Sequence, residues 1–195
     1  MLPGQSHRDA SARRRVAVLF ADISGFTRLV ETVEPEIVYQ LVRPFLDELV
    51  DIVHVNGGEI QQVLGDGFMA VFGVRFVRGD EAVRAVRAGL ALVTAGRSHP
   101  SRLPVHVGIE YGEVLVTPSW QVAEFGVWGR PVNLAKRLCD LAGPDEIQIG
   151  PGAFARARHG IGPVTTMPAR LKGVIGAVTA HRVAGDGFEP LAQAT

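Results

Sequence analysis

The sequence has little of what marks secreted, membrane-spanning or nucleic-acid-binding proteins. Cys139 is the one cysteine in 195 residues, which excludes an internal disulfide and predicts a reducing, cytoplasmic location. No apolar run approaches the roughly 20 residues of a membrane span, and we expect no signal peptide. The 20 basic and 20 acidic residues balance, so neither nucleic acid nor a membrane is a predicted partner. The six histidines have no metal-ligand spacing, which argues against a zinc site.

Length and composition predict one domain between two short tails. A chain of 195 residues can bury a substantial core. Hydrophobic residues make up 47% and charged residues 21%, an ordinary soluble composition. Residues 1–12 and 185–195 carry turn formers without periodicity, so both are predicted to be flexible tails. Residues 13–184 would then form the single domain.

Strand and helix patterns alternate in the first half of this domain. Residues 16–21 are a nearly continuous apolar run, as expected of a buried strand. Helical spacing of apolar residues predicts a long helix from Pro35, which Pro44 should kink. Two short apolar runs joined through Gly65-Asp66-Gly67 predict a hairpin by their turn chemistry.

The second half of the domain continues the alternation. Asp80 could cap the next helix, and residues 105–109 alternate as a strand that Gly112 would separate from residues 114–116. A helix is predicted over 130–141, and further strand patterns follow at residues 146–149, 161–167 and 174–183. The order β-α-β-β-α-β with appended strands predicts an α+β sandwich of the ferredoxin-like type.

Two aspartates stand where extended apolar runs break into polar turns. Asp22 follows the first strand pattern, and Asp66 lies in the predicted hairpin turn. Carboxylates fixed at the ends of neighbouring strands can hold hard cations against a phosphate, as two-metal phosphoryl chemistry requires. A helix cap and an Asp-Gly turn would explain either aspartate alone. Their joint occurrence in these contexts indicates phosphoryl chemistry.

Five motifs in succession resemble those of the class III nucleotidyl cyclases, over about residues 15 to 183. The resemblance implies the class III catalytic domain fold. It also implies an enzyme that converts a nucleoside triphosphate into a 3′,5′-cyclic nucleotide and diphosphate. The motifs are Phe20-Ala-Asp-Ile-Ser-Gly-Phe-Thr27, Leu64-Gly-Asp-Gly-Phe-Met-Ala-Val-Phe-Gly73, Val107-Gly-Ile-Glu-Tyr-Gly-Glu113, Val127-Trp-Gly-Arg-Pro-Val-Asn-Leu-Ala-Lys-Arg-Leu138 and Leu171-Lys-Gly-Val174.

The resemblance implies the metal ligands and the cofactors. Asp22 and Asp66 would be the two metal-binding aspartates, and the carbonyl of Ile23 a further ligand. Two divalent cations per site, Mn²⁺ or Mg²⁺, would be the cofactors. Such ions lower the pKa of a ribose 3′-hydroxyl and neutralise the triphosphate during in-line attack.

The resemblance also assigns residues to the ribose and the phosphates. Asn133 and Arg137 are four apart, so they project from one helix face. They match the family's ribose-orienting asparagine and transition-state arginine. Lys172 matches the lysine that holds the terminal phosphates. The start of a helix would add a positive dipole end and backbone N–H groups for the β- and γ-phosphates. These N–H groups would come from Ser24, Gly25, Phe26 and Thr27.

The resemblance further implies a homodimer. In this family the metal aspartates come from one protomer, while the asparagine, arginine and lysine come from the other. A head-to-tail homodimer would then contain two composite sites related by a twofold axis. We expect monomeric protein to be inactive.

The two base-reading positions depart from the family pattern. Adenylate-forming members usually present a lysine and an aspartate there, where this chain has Gln62 and Gly126. Guanylate cyclases typically present a glutamate and a small residue. A glutamine amide can pair with uracil, adenine or guanine, so Gln62 alone does not select the base. The combination resembles the stand-alone pyrimidine cyclases of bacterial antiphage signalling, and we favour UTP or CTP over ATP, and ATP over GTP.

Two other interpretations stay open at this point. A non-catalytic cyclase homologue could bind a nucleotide or a partner without chemistry, although both metal aspartates and the Asn133/Arg137 pair are present. A diguanylate cyclase or polymerase-palm relative would also use two carboxylates to bind metal ions on a related fold. The sequence lacks the Gly-Gly-Asp/Glu-Glu-Phe type of turn that such a relative would carry.

Overall fold

The computed structural model describes residues 11–118 and 125–183. Over these residues the chain forms five helices and eight strands that build one mixed sheet. In chain order the elements are β1 (Ala12–Ile23), α1 (Phe26–Thr32), α2 (Pro35–Val55), β2 (Glu59–Val63), β3 (Gly67–Phe72), α3 (Glu81–Ser98), β4 (Val105–Pro118), β5 (Phe125–Trp128), α4 (Arg130–Leu141), β6 (Ile147–Ile149), α5 (Pro151–Ala157), β7 (Val164–Ala169) and β8 (Val178–Val183).

The sheet has the order β2-β3-β1-β4-β6-β8-β7, and β5 pairs with β4 outside this order. Strands β4 and β6 are parallel, and the other pairs are antiparallel. Strand β1 therefore lies near the centre of the sheet. Central strands covered on both faces are apolar at successive positions, which explains the continuous apolar run of residues 16–21.

Helices cover the two faces of the sheet unequally. Helices α2, α3 and α5 pack on one face, against alternate residues of β1 such as Leu19 and Ala21. Helix α4 packs on the other face, where Val18 and Phe20 meet Ala135 and Cys139 of the helix. The side chain of Asp22 follows the same alternation as Val18 and Phe20. Asp22 thus projects from the face that carries α4.

Helix α4 lies unusually close to β4 because of one glycine. A Cβ atom at Gly108 would collide with the backbone of Ala135 and Cys139. The close approach buries Cys139 completely. It also fixes the height of α4 above the end of β1, where Asp22 stands.

The predicted α+β sandwich is confirmed, and so are the hairpin and the bounds of the helix over 130–141. The first strand begins at Ala12, so the predicted tail over 1–12 is wrong at its last residue. Residues 1–10 and 184–195, where the tails were predicted, lie outside the described residues. None of the described helices is long and apolar enough to cross a membrane.

Other details differ from the sequence-based expectations or leave them untested. Gly112 does not break a strand, because β4 pairs with β1 without interruption through the Val16–Gly112 pair. Asp80 stands at the N-cap of α3, yet its carboxylate accepts from Arg84 Nε at 2.8 Å rather than from the helix backbone. Helix α2 continues through Pro44, and the kink there stays a prediction. Strand β5 and helix α5 were not predicted.

Candidate active site

The fold brings Asp22 and Asp66 together. Asp22 lies at the end of β1, opposite Gly67 of β3, and Asp66 lies in the turn just before Gly67. The backbone N–H of Ile23 donates to the carbonyl of Asp66 at 3.2 Å, which ties the two strand ends together. A Cβ atom at position 67 would collide with Asp22 Oδ1. Glycine at that position therefore makes room for the Asp22 carboxylate beside Asp66.

The electrostatics of this pair fit a divalent cation. Burial, followed by the nearby charge of Asp22, raises the pKa of Asp66 to about 6. Two crowded carboxylates disfavour their own ionisation, and a divalent cation between them would relieve that repulsion. Among the described residues there is no cluster of three or more acidic, histidine or cysteine side chains for a metal. The donor set is that of Mg²⁺-type sites, which combine one or two carboxylates with water and phosphate oxygens.

The segment after β1 carries the residues predicted to bind phosphate. Gly25 has φ 79° and precedes α1, and a Cβ atom there would meet no neighbour within 4 Å. Phe26 is half-buried and Thr27 is exposed, and the first N–H groups of a helix have no partner within the helix. Ser24 differs from the prediction, because its N–H donates to the carbonyl of Pro104 at 2.8 Å. Its Oγ lies 2.8 Å from His106 Nδ1 of β4. The Ser24 amide is therefore already hydrogen-bonded and is not free for a phosphate.

Asn133 and Arg137 both point away from the sheet to which their helix belongs. Ala135 is fully buried against that sheet. At 3.6 residues per turn, Asn133 and Arg137 lie roughly 160° from Ala135 around the helix axis. Asn133 is exposed, and Arg137 Nη1 lies 2.8 Å from Asp140 Oδ2. The helix face that carries the predicted ribose and transition-state residues thus faces away from the sheet of the same chain.

Lys172 lies far from the same carboxylates. It stands in the turn between β7 and β8, and β8 is three strands from β1, or roughly 14 Å. Through β6 and β4, Val183 at the end of β8 is level with Ala21. Val178 at the start of β8 is then about 17 Å further along the strand direction. Lys172 and Asp22 stand at opposite ends of the sheet.

A small apolar cluster attaches the turn of Lys172 to α4. Leu171, next to Lys172, is buried in one cluster with Leu134 and Leu138 of the helix. Lys172 itself is exposed. The structure therefore divides the predicted site residues into two groups. Asp22, Ile23, Asp66 and the start of α1 form one group, and Asn133, Arg137 and Lys172 form the other.

The predicted base-reading positions lie on neighbouring elements. Gln62 is in β2, opposite Met69, next to an irregularity of the β2–β3 pairing. The adjacent Gln61 donates from Nε2 to the carbonyl of Phe125 at 3.3 Å, which joins β2 to the strand of Gly126. Gln61 and Phe125 also line a cavity of about 510 Å³. Strands β2 and β5, which carry Gln62 and Gly126, are therefore in direct contact.

The side chains around Gly126 leave no room for a side chain at this position. Trp128 Nε1 donates to Thr117 Oγ1 at 3.2 Å. A Cβ atom at position 126 would lie 2.7 Å from that Thr117 oxygen and 3.0 Å from the Trp128 nitrogen. An aspartate at position 126 would therefore not fit unless Thr117 and Trp128 also moved.

Two titratable residues beside Asp22 were missed by the sequence reasoning. Lys136 Nζ lies 3.4 Å from Asp22 Oδ2 and 2.9 Å from Asp140 Oδ1. The spacing of Lys136 and Asp140 is an i,i+4 pair that the sequence could have indicated. The contact with Asp22 joins residues 114 positions apart and depends on how α4 packs on β1. His106 was also missed, and it lies opposite Asp22 on β4.

Known proteins share both the sequence pattern and the fold. The family model described as the adenylate and guanylate cyclase catalytic domain matches residues 9–178. An adenylate cyclase from Streptomyces coelicolor is 34% identical over 137 residues, which are 70% of this chain and 32% of that protein. The solved guanylyl cyclase Cya2 has a TM-score of 0.83 and 29% identity, covering 90% of this chain and 94% of that one.

A second solved structure gives a similar result. The adenylyl cyclase CyaB from P. aeruginosa has a TM-score of 0.84 and 27% identity, and the match covers 90% of this chain and 96% of that one. The chain spans about a third of the length of the curated Streptomyces relative. It spans nearly the whole of both solved chains.

Proposed function

Since the chain belongs to the family of adenylate and guanylate cyclase catalytic domains, we propose that it is a class III nucleotidyl cyclase. It converts a nucleoside triphosphate into a 3′,5′-cyclic nucleotide and diphosphate. One observation carries the proposal: Asp22 and Asp66 lie side by side at the joined ends of two strands. Such a pair supports two-metal phosphoryl chemistry. A homologue that had kept only the fold would not need that pair.

The chain's own residues divide the work as follows. Asp22, Asp66 and the carbonyl of Ile23 would hold the divalent cations, Mn²⁺ or Mg²⁺. When bound there, these cations acidify the ribose 3′-hydroxyl and offset the charge of the triphosphate. The backbone N–H groups of Gly25, Phe26 and Thr27, at the start of α1, bind the terminal phosphate oxygens.

The second group of residues acts on the other parts of the substrate. Asn133 orients the ribose through its amide. Arg137 stabilises the charge that develops on the α-phosphate, for which a planar and permanently charged guanidinium is suited. Lys172 binds the terminal phosphates as a point charge.

The two groups serve one substrate only if two chains meet. Asn133 and Arg137 face away from their own sheet, and Lys172 lies at the other end of the sheet from Asp22. A head-to-tail homodimer would place the α4 face of one chain opposite the carboxylates of the other. Twofold symmetry would then produce two equivalent composite sites.

For the nucleobase, ATP is the first candidate because the Streptomyces coelicolor relative is named an adenylate cyclase. The second candidate is a pyrimidine nucleotide, UTP above all, whose cyclic product would act as an antiphage signal. Gln62 and Gly126 support this second candidate, because neither is the lysine or aspartate usual for adenine. The Gln62 amide can donate to uracil O4 and accept from uracil N3–H, or flip to pair with adenine.

The test is an incubation of the purified protein with ATP, GTP, CTP and UTP in parallel, with Mn²⁺ and product identification by mass spectrometry. We expect one dominant 3′,5′-cyclic nucleotide. Asp66→Asn should abolish it, whereas Asp51→Asn, a matched change at an exposed position of α2, should not. No cyclic product from any of the four nucleotides would overturn the proposal and favour a non-catalytic nucleotide-binding protein.

A further inference from the structure

Three ion pairs link a carboxylate of one predicted half-site to the arginine of the other. Asp22 Oδ2 lies 3.4 Å from Lys136 Nζ, and the same ammonium lies 2.9 Å from Asp140 Oδ1. The second oxygen of Asp140 lies 2.8 Å from Arg137 Nη1. The chain of contacts is therefore Asp22, Lys136, Asp140 and Arg137 in sequence. Its first member is a predicted metal ligand, and its last member serves the partner's substrate.

The chemistry of Lys136 suits a cation that is held by two carboxylates at once. An ammonium is a compact charge with three rotatable donors, whereas a guanidinium is a planar fork. Lysine occurs at only two positions in the chain, Lys136 and Lys172, and all other formally cationic side chains are arginines. Lys172 is the predicted phosphate ligand. Lysine is thus present only where a compact cation would meet oxygen ligands.

The position of Lys136 places it in competition with a metal. Its ammonium lies beside the carboxylate oxygen of Asp22, where a divalent cation would also have to lie. Two cations next to one carboxylate repel each other strongly when partly shielded from water, and the Asp22 side chain is 25% exposed. Asp140 offers the ammonium an alternative partner on the same helix. The ammonium can therefore leave Asp22 without losing all of its contacts.

We propose that Lys136 is a built-in counter-ion of Asp22 that the incoming divalent cation displaces, and that Asp140 receives the displaced ammonium. Lys136 and Asp140 are positioning residues, since neither is assigned to the substrate. The inference rests on the proposed function, because it assumes that Asp22 binds a metal. As Asp140 also binds Arg137, metal entry at one composite site would loosen the arginine that serves the other site.

The experiment measures Mn²⁺ binding directly, without turnover. The electron paramagnetic resonance signal of free Mn²⁺ is followed during titration of the nucleotide-free protein. Lys136→Met should bind Mn²⁺ about tenfold more tightly than the wild type, equivalent to about 1.4 kcal/mol. Lys136→Gln gives a second test, because it removes the positive charge but keeps a polar side chain. Circular dichroism establishes that each variant is folded.

A matched control and a double variant separate this role from general electrostatics. Arg43→Met removes one positive charge from an exposed i,i+4 pair with Asp47 and should leave the Mn²⁺ affinity unchanged. Asp140→Asn should weaken Mn²⁺ binding, because Lys136 loses its alternative partner. In the Lys136→Met background, the effect of Asp140→Asn should shrink to less than half.

The outcomes distinguish the inference from the proposed function. Equal Mn²⁺ affinity in the wild type and in both neutral variants of Lys136 would overturn the inference and leave the cyclase proposal standing. No saturable Mn²⁺ binding in any variant would overturn the metal assignment of Asp22 and the inference with it. An equally large effect of Arg43→Met would also overturn the inference, since net charge alone would then be responsible.

Discussion

Mixing two inactive variants should restore activity if the site is composite. Asp66→Asn removes a proposed metal ligand from one group of residues, and Arg137→Ala removes the proposed transition-state arginine from the other. Each variant alone should lose activity by on the order of 10²-fold or more, because one preorganised charged group is typically worth that much. In a homodimer of either variant, both sites carry the defect.

The size of the recovery follows from the separation of the two groups in the structure. Asn133 and Arg137 face away from the sheet of their own chain, and Lys172 lies at its other end. A heterodimer of the two variants then has one site with both defects and one site with none. Equal mixing gives about half heterodimers, each half active, so the mixture should reach about a quarter of the wild-type specific activity.

The assay is cyclic-nucleotide production by a co-expressed or co-refolded equal mixture, with mass spectrometry of the intact dimer to establish exchange. The matched control mixes Arg137→Ala with Asn133→Ala, whose defects lie on the same side and should give no recovery. Absence of recovery in the first mixture, with heterodimers present, would refute the composite site. Recovery in the control mixture would refute the assignment of Asn133 and Arg137 to one half-site.

Three further predictions follow from local geometry. Gly67→Ala should abolish Mn²⁺ binding in a calorimetric titration, because its methyl group would collide with both the Asp22 carboxylate and the backbone carbonyl of Ala21; unchanged affinity would contradict this. The pKa of Asp66 is raised from 3.8 to about 6 by burial and then by Asp22. The metal-free folded state therefore binds more protons than the unfolded state, so stability falls as pH rises from about 4 to 6. Urea unfolding of Asp66→Asn should lack that component. Gly126→Asp should disrupt the Trp128–Thr117 bond, changing tryptophan fluorescence without converting the enzyme to adenine selectivity; improved ATP selectivity in the four-nucleotide assay would contradict the local explanation.

Sequence reasoning succeeded where a feature depends on neighbouring residues. The apolar run of residues 16–21 and the Gly129-Arg130-Pro131 start of α4 are local signals, and both elements lie where predicted. It failed where a distant strand decides the outcome. Gly112 would favour a break, but the continuous ladder with β1 keeps β4 extended through it.

In the candidate site, too, the features that depend on neighbouring residues were predicted and those that depend on distant segments were not. Asp22 and Asp66 could each be recognised at a strand end, and the resemblance to a known family supplied the rest of the predicted residues. The contact between Lys136 and Asp22 could not be recognised, because it depends on the height of α4 above the sheet. That height is set by Gly108, a residue whose role is visible only in three dimensions. The amide of Ser24 was misjudged for the same reason, since its partner is Pro104 on another segment.

The complete burial of Cys139 gives the protein a natural reporter of opening. Burial raises the pKa of this thiol to about 12, and Cys139 Sγ lies 3.5 Å from the carbonyl of His106. A thiol in that environment is nearly inert to alkylating reagents until the surrounding packing opens. Since Cys139 is the only cysteine in the sequence, the rate of labelling with a thiol-reactive dye would report how often α4 lifts from the sheet, with no engineered probe.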